Sequence, residues 1–165
     1  MKTVTILVCD DDSTLREILQ RKIEKLCVES GVPCRIIGCA SGEDVLKLLK
    51  TEPEAECGSE PMPDILFLDI QMPGRNGMEV AEELRKRQKD TILIFVTALS
   101  EYVYEAFDVG AFHYLVKPFG DDKLQEVLKR ALQQCARQQE IRALQQAGAA
   151  EEDRCVRARA CPRRR

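Results

Sequence analysis

The chain has 165 residues, of which 44% are hydrophobic and 32% charged, and its formal net charge is −3. This length and balance are typical of one globular domain with a single core. No apolar run reaches the roughly 18 residues of a membrane-spanning helix. The first residues lack the apolar stretch and cleavage site of a signal peptide, so we expect a cytoplasmic protein with no membrane partner.

Charge is unevenly distributed along the chain. Residues 154–165 contain six arginines and no acidic residue, so the remainder is strongly acidic. An acidic body does not resemble a nucleic-acid-binding surface. A short arginine-rich end is more often a disordered tail than a binding site.

The cysteines follow no metal-binding pattern. There are eight of them, with no CxxC pair and a single histidine in the whole chain, which excludes the usual zinc spacings. Cys9, Cys27 and Cys39 fall inside apolar patterns. In a reducing cytoplasm we therefore expect free thiols, several of them buried as small hydrophobic groups.

Strand and helix patterns alternate five times along the chain. The predicted strands are apolar or β-branched runs at Thr3–Cys9, Cys34–Ala40, Ile65–Leu68, Thr91–Val96 and Phe112–Val116. Apolar residues recur at helical spacing after each strand: from Leu15 to Leu26, at Val45, Leu48 and Leu49, at Val80, Ala81 and Leu84, from Leu99 to Phe107, and from Leu124 to Cys135. Such alternation predicts a parallel sheet with helices on both faces.

Local signals mark the helix starts and one loop. Thr14 and Glu17 fit a capping box at the first helix. Ser41 is expected to cap the second helix, and Asn76 to open the third. Residues 51–63 are polar and contain proline, which predicts a loop.

Polar residues follow four of the predicted strands. Asp10, Asp11 and Asp12 follow the first, and Asp69, Thr97 and Lys117 follow the third, fourth and fifth. Ligands of open parallel sheets bind beyond the carboxyl ends of the strands, so these groups should converge on one rim. Each alone has an ordinary explanation as a helix cap or turn residue, but their joint placement is hard to obtain by chance.

The rim has the groups that phosphoryl transfer requires. Neighbouring carboxylates repel each other, and Mg²⁺, which prefers oxygen ligands, relieves that repulsion. A carboxylate can act as a nucleophile on phosphorus. A lysine and a hydroxyl can hold the phosphoryl oxygens, where charge accumulates.

Four segments, VCDDDSTLREIL, LFLDIQMPGRNGME, FVTA and YLVKPF, resemble the signature blocks of response regulator receiver domains, in the expected order over residues 3–135. The resemblance implies a flavodoxin-like, doubly wound sheet of five parallel strands in the order 2-1-3-4-5. It also implies a cis bond between Lys117 and Pro118. The segment EYVYEAFDVGAFHYLVKPF looks most like receivers attached to LytTR-type DNA-binding domains.

The resemblance also assigns site residues. Asp69 would be the phosphoacceptor, and Mg²⁺ would be held by Asp10, Asp11, Asp69 and the backbone carbonyl of Gln71. Thr97 would be the switch hydroxyl, Lys117 the phosphate-binding amine and Tyr114 the switch aromatic. Asp12 would face solvent or help to cap the first helix.

The same resemblance implies partners and a mechanism. A sensor histidine kinase would donate the phosphoryl group, and phosphorylation would change the face from Ser100 to Lys129, formed by helix 4, strand 5 and helix 5. Tyr102, Tyr104 and Phe107 on that face are candidates for a homodimer surface; alternatively, Phe107 is core and the tyrosines flank it. No enzymatic activity is expected beyond autophosphorylation and autodephosphorylation.

We expect a receiver domain at 1–135 and a helical extension with a basic, partly disordered tail at 136–165, where no output domain is predicted. DNA would be reached only through an output domain absent from this chain, in the control of transcription. A stand-alone phosphorelay or phosphate-sink receiver is the alternative. A haloacid-dehalogenase-type phosphatase is less favoured, because Gln71 stands where such enzymes have a second aspartate.

Three further classes fit the sequence less well. A flavodoxin would need a Ser/Thr/Gly-rich phosphate loop after the first strand, which is missing. A histidine kinase would need its histidine on a long helix, whereas His113 lies in a predicted strand. A pseudo-receiver would lack Asp11, Asp69 or Lys117, and all three are present.

Overall fold

A computed structural model describes residues 3–50, 63–87 and 90–159, with side chains at all of these except 50, 146 and 148–159. Strands and helices alternate strictly through these ranges. They are β1 (Val4–Cys9), α1 (Ser13–Glu29), β2 (Cys34–Cys39), α2 (Gly42–Lys50), β3 (Ile65–Leu68), α3 (Gly77–Lys86), β4 (Ile92–Thr97), α4 (Val103–Asp108), β5 (His113–Val116) and α5 (Asp121–Arg159).

The five strands form one parallel sheet in the order β2-β1-β3-β4-β5, which confirms the predicted fold class. Every residue of β1, β3 and β4 is buried. Strands covered on both faces must be apolar throughout, which explains why these three read as continuous apolar runs. The chemistry of the chain is thereby confined to the ends of the strands.

The core joins helices to the sheet. One cluster of buried residues connects α2, α3 and α4 to alternate residues of the inner strands, including Leu7, Leu66, Leu68 and Phe95. The buried α1 residues Leu19, Ile23 and Cys27 lie outside this cluster, as expected for helices on two faces of a sheet. The predicted apolar residues of α5 are buried at Leu124, Val127, Leu128, Ala131 and Cys135.

The predicted caps Ser41 and Asn76 are confirmed, and so is a capping role for Asp12, whereas the capping box predicted for Thr14 and Glu17 is wrong. Ser41 Oγ accepts a bond from the Asp44 amide, and Asn76 forms a capping box with Glu79. At α1, however, Asp12 is the N-cap, and its carboxylate accepts from the amides of Thr14 and Leu15 at 2.9 and 3.1 Å. A carboxylate at this position satisfies two free amides and interacts favourably with the helix dipole.

The structure also decides several smaller expectations. The Lys117–Pro118 peptide bond is cis, as predicted. Five cysteines within the described ranges, Cys9, Cys27, Cys34, Cys39 and Cys135, are thiols and not disulfides. None of the helices that the structure describes combines the length and apolarity needed to cross a membrane. The predicted loop at 51–63 lies outside the described residues except for Pro63.

The chain divides into two compact units, Met1–Ala131 and Leu132–Arg165. The first contains the whole sheet and helices α1 to α4 together with the start of α5. In the second, α5 continues to Arg159. The predicted boundary at residue 135 stays a prediction, as does a partly disordered tail, whose last residues, 160–165, lie outside the described residues.

Candidate functional site

Three strand ends bring a lysine and two aspartates into direct contact. The Lys117 ammonium lies 2.7 Å from Asp10 Oδ2 and 3.2 Å from Asp69 Oδ2. Asp10 and Asp69 are only 4% and 7% exposed, so these charges are largely withdrawn from water. A buried carboxylate needs a partner, and here one ammonium serves two of them.

Asp11 completes an acidic cluster. One carboxylate oxygen from each of Asp10, Asp11 and Asp69 lies within 4.8 Å of the others. Asp11 is exposed, whereas Asp12 next to it turns its carboxylate to the first turn of α1. The cluster therefore presents three carboxylates to one small volume, and oxygen donors at this spacing suit a hard divalent cation such as Mg²⁺.

The electrostatic environment keeps Lys117 charged. Burial alone would lower the pKa of Lys117, but the hydrogen bond from its ammonium to Asp10 and the attraction of Asp69 and Asp10 outweigh burial and raise that pKa. The side chain thus remains a cation at neutral pH. It offsets part of the repulsion among the carboxylates.

Backbone bonds orient the two buried carboxylates. Asp10 Oδ1 accepts from the Asp12 amide at 2.9 Å, and Asp69 Oδ1 accepts from the Gln71 amide at 3.1 Å. Each aspartate therefore uses one oxygen to hold its own loop and directs the other to Lys117. A Cβ atom at Gly77 would lie 2.2 Å from the Asp69 carbonyl oxygen, so glycine is required where α3 approaches the site.

The predicted switch residues Thr97 and Tyr114 both bond to the backbone of Leu99 and not to the acidic cluster. Thr97 is fully buried, and its hydroxyl accepts from the Leu99 amide at 3.3 Å. The Tyr114 hydroxyl donates to the Leu99 carbonyl at 2.6 Å, and its ring lies 5.9 Å from that of Phe95. The backbone of Thr97 is tied to the site, because the Lys117 amide donates to its carbonyl at 2.8 Å.

A cavity of about 560 Å³ opens over the acidic cluster. Its lining combines the aspartates and the lysine with the loops that follow β3 and β4: Asp10, Asp11, Asp12, Leu15, Asp69, Gln71, Met72, Pro73, Ala98 and Lys117. It therefore has room for a phosphoryl group and for water beside a cation.

Sequence reasoning missed one contact at the site. The Arg16 guanidinium donates to the Asp10 backbone carbonyl at 2.6 Å, which secures the end of β1 from the first turns of α1. An arginine one turn into a helix looks like an ordinary surface charge. Only the folded geometry reveals the bond.

The exposed face around α4 differs in part from expectation. Tyr104 is 82% and Phe107 68% exposed, so the alternative that placed Phe107 in the core is wrong. Tyr102 is partly buried and packs against the core cluster instead. Ala106 provides the buried contact of α4.

Comparisons with known proteins agree with this geometry. The response regulator receiver domain family matches residues 6–129. The positive alginate biosynthesis regulatory protein of Pseudomonas aeruginosa is 37% identical over 128 residues, which cover 78% of this chain and 47% of that protein. The sensory transduction protein LytT of Oceanobacillus iheyensis is 35% identical over 129 residues, covering 77% and 47% respectively.

A solved structure shows the same architecture. Response regulator protein TrrA of Thermotoga maritima, in complex with Mg²⁺–BeF, is 35% identical, with a TM-score of 0.62 over 78% of this chain and 99% of that chain. The chain spans about half the length of the curated relatives it matches. LytT proteins among them confirm the resemblance to LytTR-type regulators. The chain belongs to the response regulator receiver domain family of two-component systems.

Proposed function

We propose that this chain accepts a phosphoryl group on Asp69 and thereby controls a transcriptional output. The observation that carries the proposal is the contact of Lys117 with both Asp10 and Asp69 beside the exposed carboxylate of Asp11. An ion pair that only stabilises the fold needs a single carboxylate beside the lysine. Two carboxylates on a single lysine, with a third carboxylate beside them and a cavity above, are arranged for an incoming group of high charge.

The residues divide the chemistry among them. A carboxylate oxygen of Asp69 attacks phosphorus, the O–P bond forms, and the bond from phosphorus to the donor breaks. Lys117, already in contact with Asp69, binds a phosphoryl oxygen and compensates for the charge that builds there. The Gln71 amide holds the carboxylate in position through its bond to Oδ1.

Asp10, Asp11, Asp69 and the carbonyl of Gln71 would hold Mg²⁺. Their fit rests on the carboxylate spacing of 4.8 Å or less and on the position of Gln71 in the cavity lining. When bound, Mg²⁺ supplies positive charge that neutralises the phosphoryl oxygens. The similarity to TrrA, solved with Mg²⁺–BeF, supports this assignment.

Labelling with a small phosphodonor tests the phosphoacceptor. With acetyl phosphate and Mg²⁺, the wild type should gain the mass of one phosphoryl group, and Asp69→Asn should gain none. Asp12→Asn is the matched control, since it removes a neighbouring charge but keeps an oxygen that can cap α1. Stoichiometric labelling of Asp69→Asn would contradict the proposal.

A second comparison tests the metal ligands. Asp11→Asn should weaken Mg²⁺ binding at least tenfold, a loss of about 1.4 kcal/mol, because one of three clustered carboxylates is neutralised. Asp12→Asn should change the affinity little. Titration calorimetry with Mg²⁺ measures both, and equal effects would mean that the assignment of these two residues is wrong.

A sensor histidine kinase is the proposed donor. Beside the site, Leu15 and Ile18 of α1 are 43% and 45% exposed and line a largely apolar cavity of about 460 Å³ with Pro118 and Phe119. A protein that brings a phosphohistidine to Asp69 must cover this rim, and exposed apolar groups there favour docking. Ile18→Glu should slow transfer from phosphorylated kinases while leaving labelling by acetyl phosphate unchanged.

Output would pass through the face around α4. Thr97 bonds to the Leu99 amide and Tyr114 to the Leu99 carbonyl, so displacement of either hydroxyl would alter the segment that leads into α4. The exposed Tyr104 and Phe107 offer a surface for a second copy of this chain. Sedimentation with and without beryllofluoride, a phosphoryl mimic, tests this, and Tyr104→Ser should prevent any self-association that the mimic induces.

A further inference from the structure

Two cysteines at the far end of α1 form a pair remote from the phosphorylation site. Cys27 lies in the last turns of α1 and is fully buried, whereas Cys34 opens β2 and is partly exposed. The Cys34 side chain acts on the Cys27 thiol and raises its pKa. The tight turn between them contains Gly31, at a φ of +66°, and the Val32 amide donates to the Cys27 carbonyl.

Only one of the two thiols is accessible. Cys34 lines a surface cavity of about 300 Å³ whose other walls are polar side chains of α1 and one residue of β2: Glu17, Gln20, Arg21, Glu24 and Ile36. β2 is an edge strand, so this cavity lies at the border of the sheet. A small polar oxidant can therefore reach Cys34, while Cys27 is closed to solvent.

We propose that Cys27 and Cys34 are a reversible oxidation site that takes a peroxide as its oxidant and closes to a disulfide. The Cys34 thiolate attacks the peroxide oxygen, the O–O bond breaks, and a sulfenic acid forms on Cys34 as hydroxide leaves. The Cys27 sulfur then attacks the Cys34 sulfur, and the S–S bond forms as water leaves. Two thiols and one hydrogen peroxide thus give one disulfide and two waters, and a dithiol reductant reverses the change.

The order of the two steps follows from the different surroundings of the thiols. Burial, followed by the hydrogen bond and charge interaction with Cys34, raises the pKa of Cys27 to about 12. Cys27 is therefore a poor first nucleophile at neutral pH. It is instead held next to the sulfur that it would attack.

Another cysteine pair provides an internal control. Cys9 and Cys39 are register partners on β1 and β2 and are 2% and 6% exposed. The Cys9 thiol donates to the Ser41 carbonyl at 3.4 Å and lies 3.5 Å from the Met72 sulfur. Burial raises the pKa of Cys9 as well. We therefore expect a pair of neighbouring thiols to react with peroxide only where one of the two is accessible to solvent.

Peptide mapping tests the proposal in a variant with serine at Cys57, Cys155 and Cys161, the cysteines whose side chains lie outside the described set. After hydrogen peroxide and alkylation, we expect a Cys27–Cys34 cross-linked peptide, lighter by about 2 Da than its reduced halves. Cys9 and Cys39 should be alkylated only after unfolding. A cross-link that forms no faster between Cys27 and Cys34 than between Cys9 and Cys39 would overturn the proposal.

Trapping of the intermediate tests the order of the steps. In Cys27→Ala, dimedone should label Cys34 as its sulfenic acid, and the label should be at least about tenfold weaker in the parent, where Cys27 consumes it. In Cys34→Ser, Cys27 should not be labelled. Labelling of Cys27 in Cys34→Ser would contradict the proposed order, in which Cys34 is oxidised first. The cross-link itself is tested in the parent protein, so that test stands even if one of these variants folds poorly.

Discussion

The two ends of α4 are attached to the rest of the fold in different ways. At the C-terminal end, the Arg85 guanidinium donates to the carbonyls of Val109 and Gly110, both at 2.8 Å, and to that of Thr91 at 3.1 Å. Before the N-terminal end, Leu99 is held by neutral hydrogen bonds with the hydroxyls of Thr97 and Tyr114. Charge-assisted bonds are about twice as strong as neutral ones.

The difference shows which end can respond to the site. Arg85 belongs to α3 and has its bonds at the start of β4 and the end of α4, away from the acidic cluster. The Leu99 contacts come from Thr97, which ends β4 beside the site, and from Tyr114 on the adjacent strand β5. A phosphoryl-dependent change should therefore move the N-terminal end of α4 about an anchored C-terminal end.

The largest expected effect on stability follows from removal of the Arg85 guanidinium, which holds the C-terminal end of α4. Arg85→Ala leaves three backbone carbonyls without their guanidinium donor and should lower the free energy of unfolding by about 2–3 kcal/mol. Urea denaturation measures the change. Arg87→Ala is the matched control, since its bond to Glu83 is a surface pair whose loss should change the free energy of unfolding far less. Equal losses of unfolding free energy in the two variants would contradict the stronger attachment of the C-terminal end of α4.

Removal of the Thr97 hydroxyl should come next. Thr97→Ala deletes the acceptor for the Leu99 amide at a fully buried position and should cost about 1–2 kcal/mol. Asp69 labelling should persist, while the exchange of amides in 98–104 should no longer respond to beryllofluoride. Thr97→Ser, which keeps the hydroxyl, should respond like the wild type. A wild type whose amide exchange ignores beryllofluoride would refute the switch.

Tyr114→Phe should have a smaller effect. It removes the hydroxyl that donates to the Leu99 carbonyl but keeps the ring packed near Phe95, so we expect a loss of about 0.5–1.5 kcal/mol. Acetyl phosphate should label Asp69 at the wild-type rate, because the Tyr114 hydroxyl bonds to Leu99 and not to the acidic cluster. A marked fall in that rate would place Tyr114 in the phosphorylation chemistry itself.

The smallest expected effect is one of pH. Burial, with smaller contributions from Glu101, Glu105 and Asp69, raises the pKa of Tyr114 from 10.0 to about 12. Between these values the unfolded chain loses a proton that the folded chain keeps, so stability should fall as pH rises from 10 towards 12. The difference in unfolding free energy between wild type and Tyr114→Phe should shrink over this range. A constant difference would exclude the raised pKa.

The site and the residues before the N-terminal end of α4 were largely predictable from the sequence, whereas the bonds that hold its C-terminal end were not. Asp10, Asp69, Thr97 and Lys117 follow apolar runs, and parallel strands bring their carboxyl ends to one edge, so sequence patterns suffice to group them. Tyr114 was identified only through the family resemblance, because nothing in its spacing distinguishes it from a packing residue.

Arg85 and Arg16 could not be found in this way. Both donate to backbone carbonyls, and every residue has a carbonyl, so no pattern of side chains marks the acceptor. Arg85 reaches residues 24 and 25 positions away. The start of α1 was mispredicted for a related reason, since Asp12 and Thr14 both suit a cap and only tertiary geometry selects between them.

The origin of the site from separate strands has a consequence for the newly made chain. Asp10 and Lys117 are 107 residues apart in sequence, and Asp69 and Lys117 are 48 apart. A growing chain that has released β1 and β3 already carries the carboxylates, yet their repulsion is unrelieved by Lys117 until β5 emerges from the ribosome. Chains fold progressively during synthesis, so the last strand both completes the sheet edge and introduces the cation. We therefore expect the acidic cluster to gain its positive partner only when the whole domain has been synthesised.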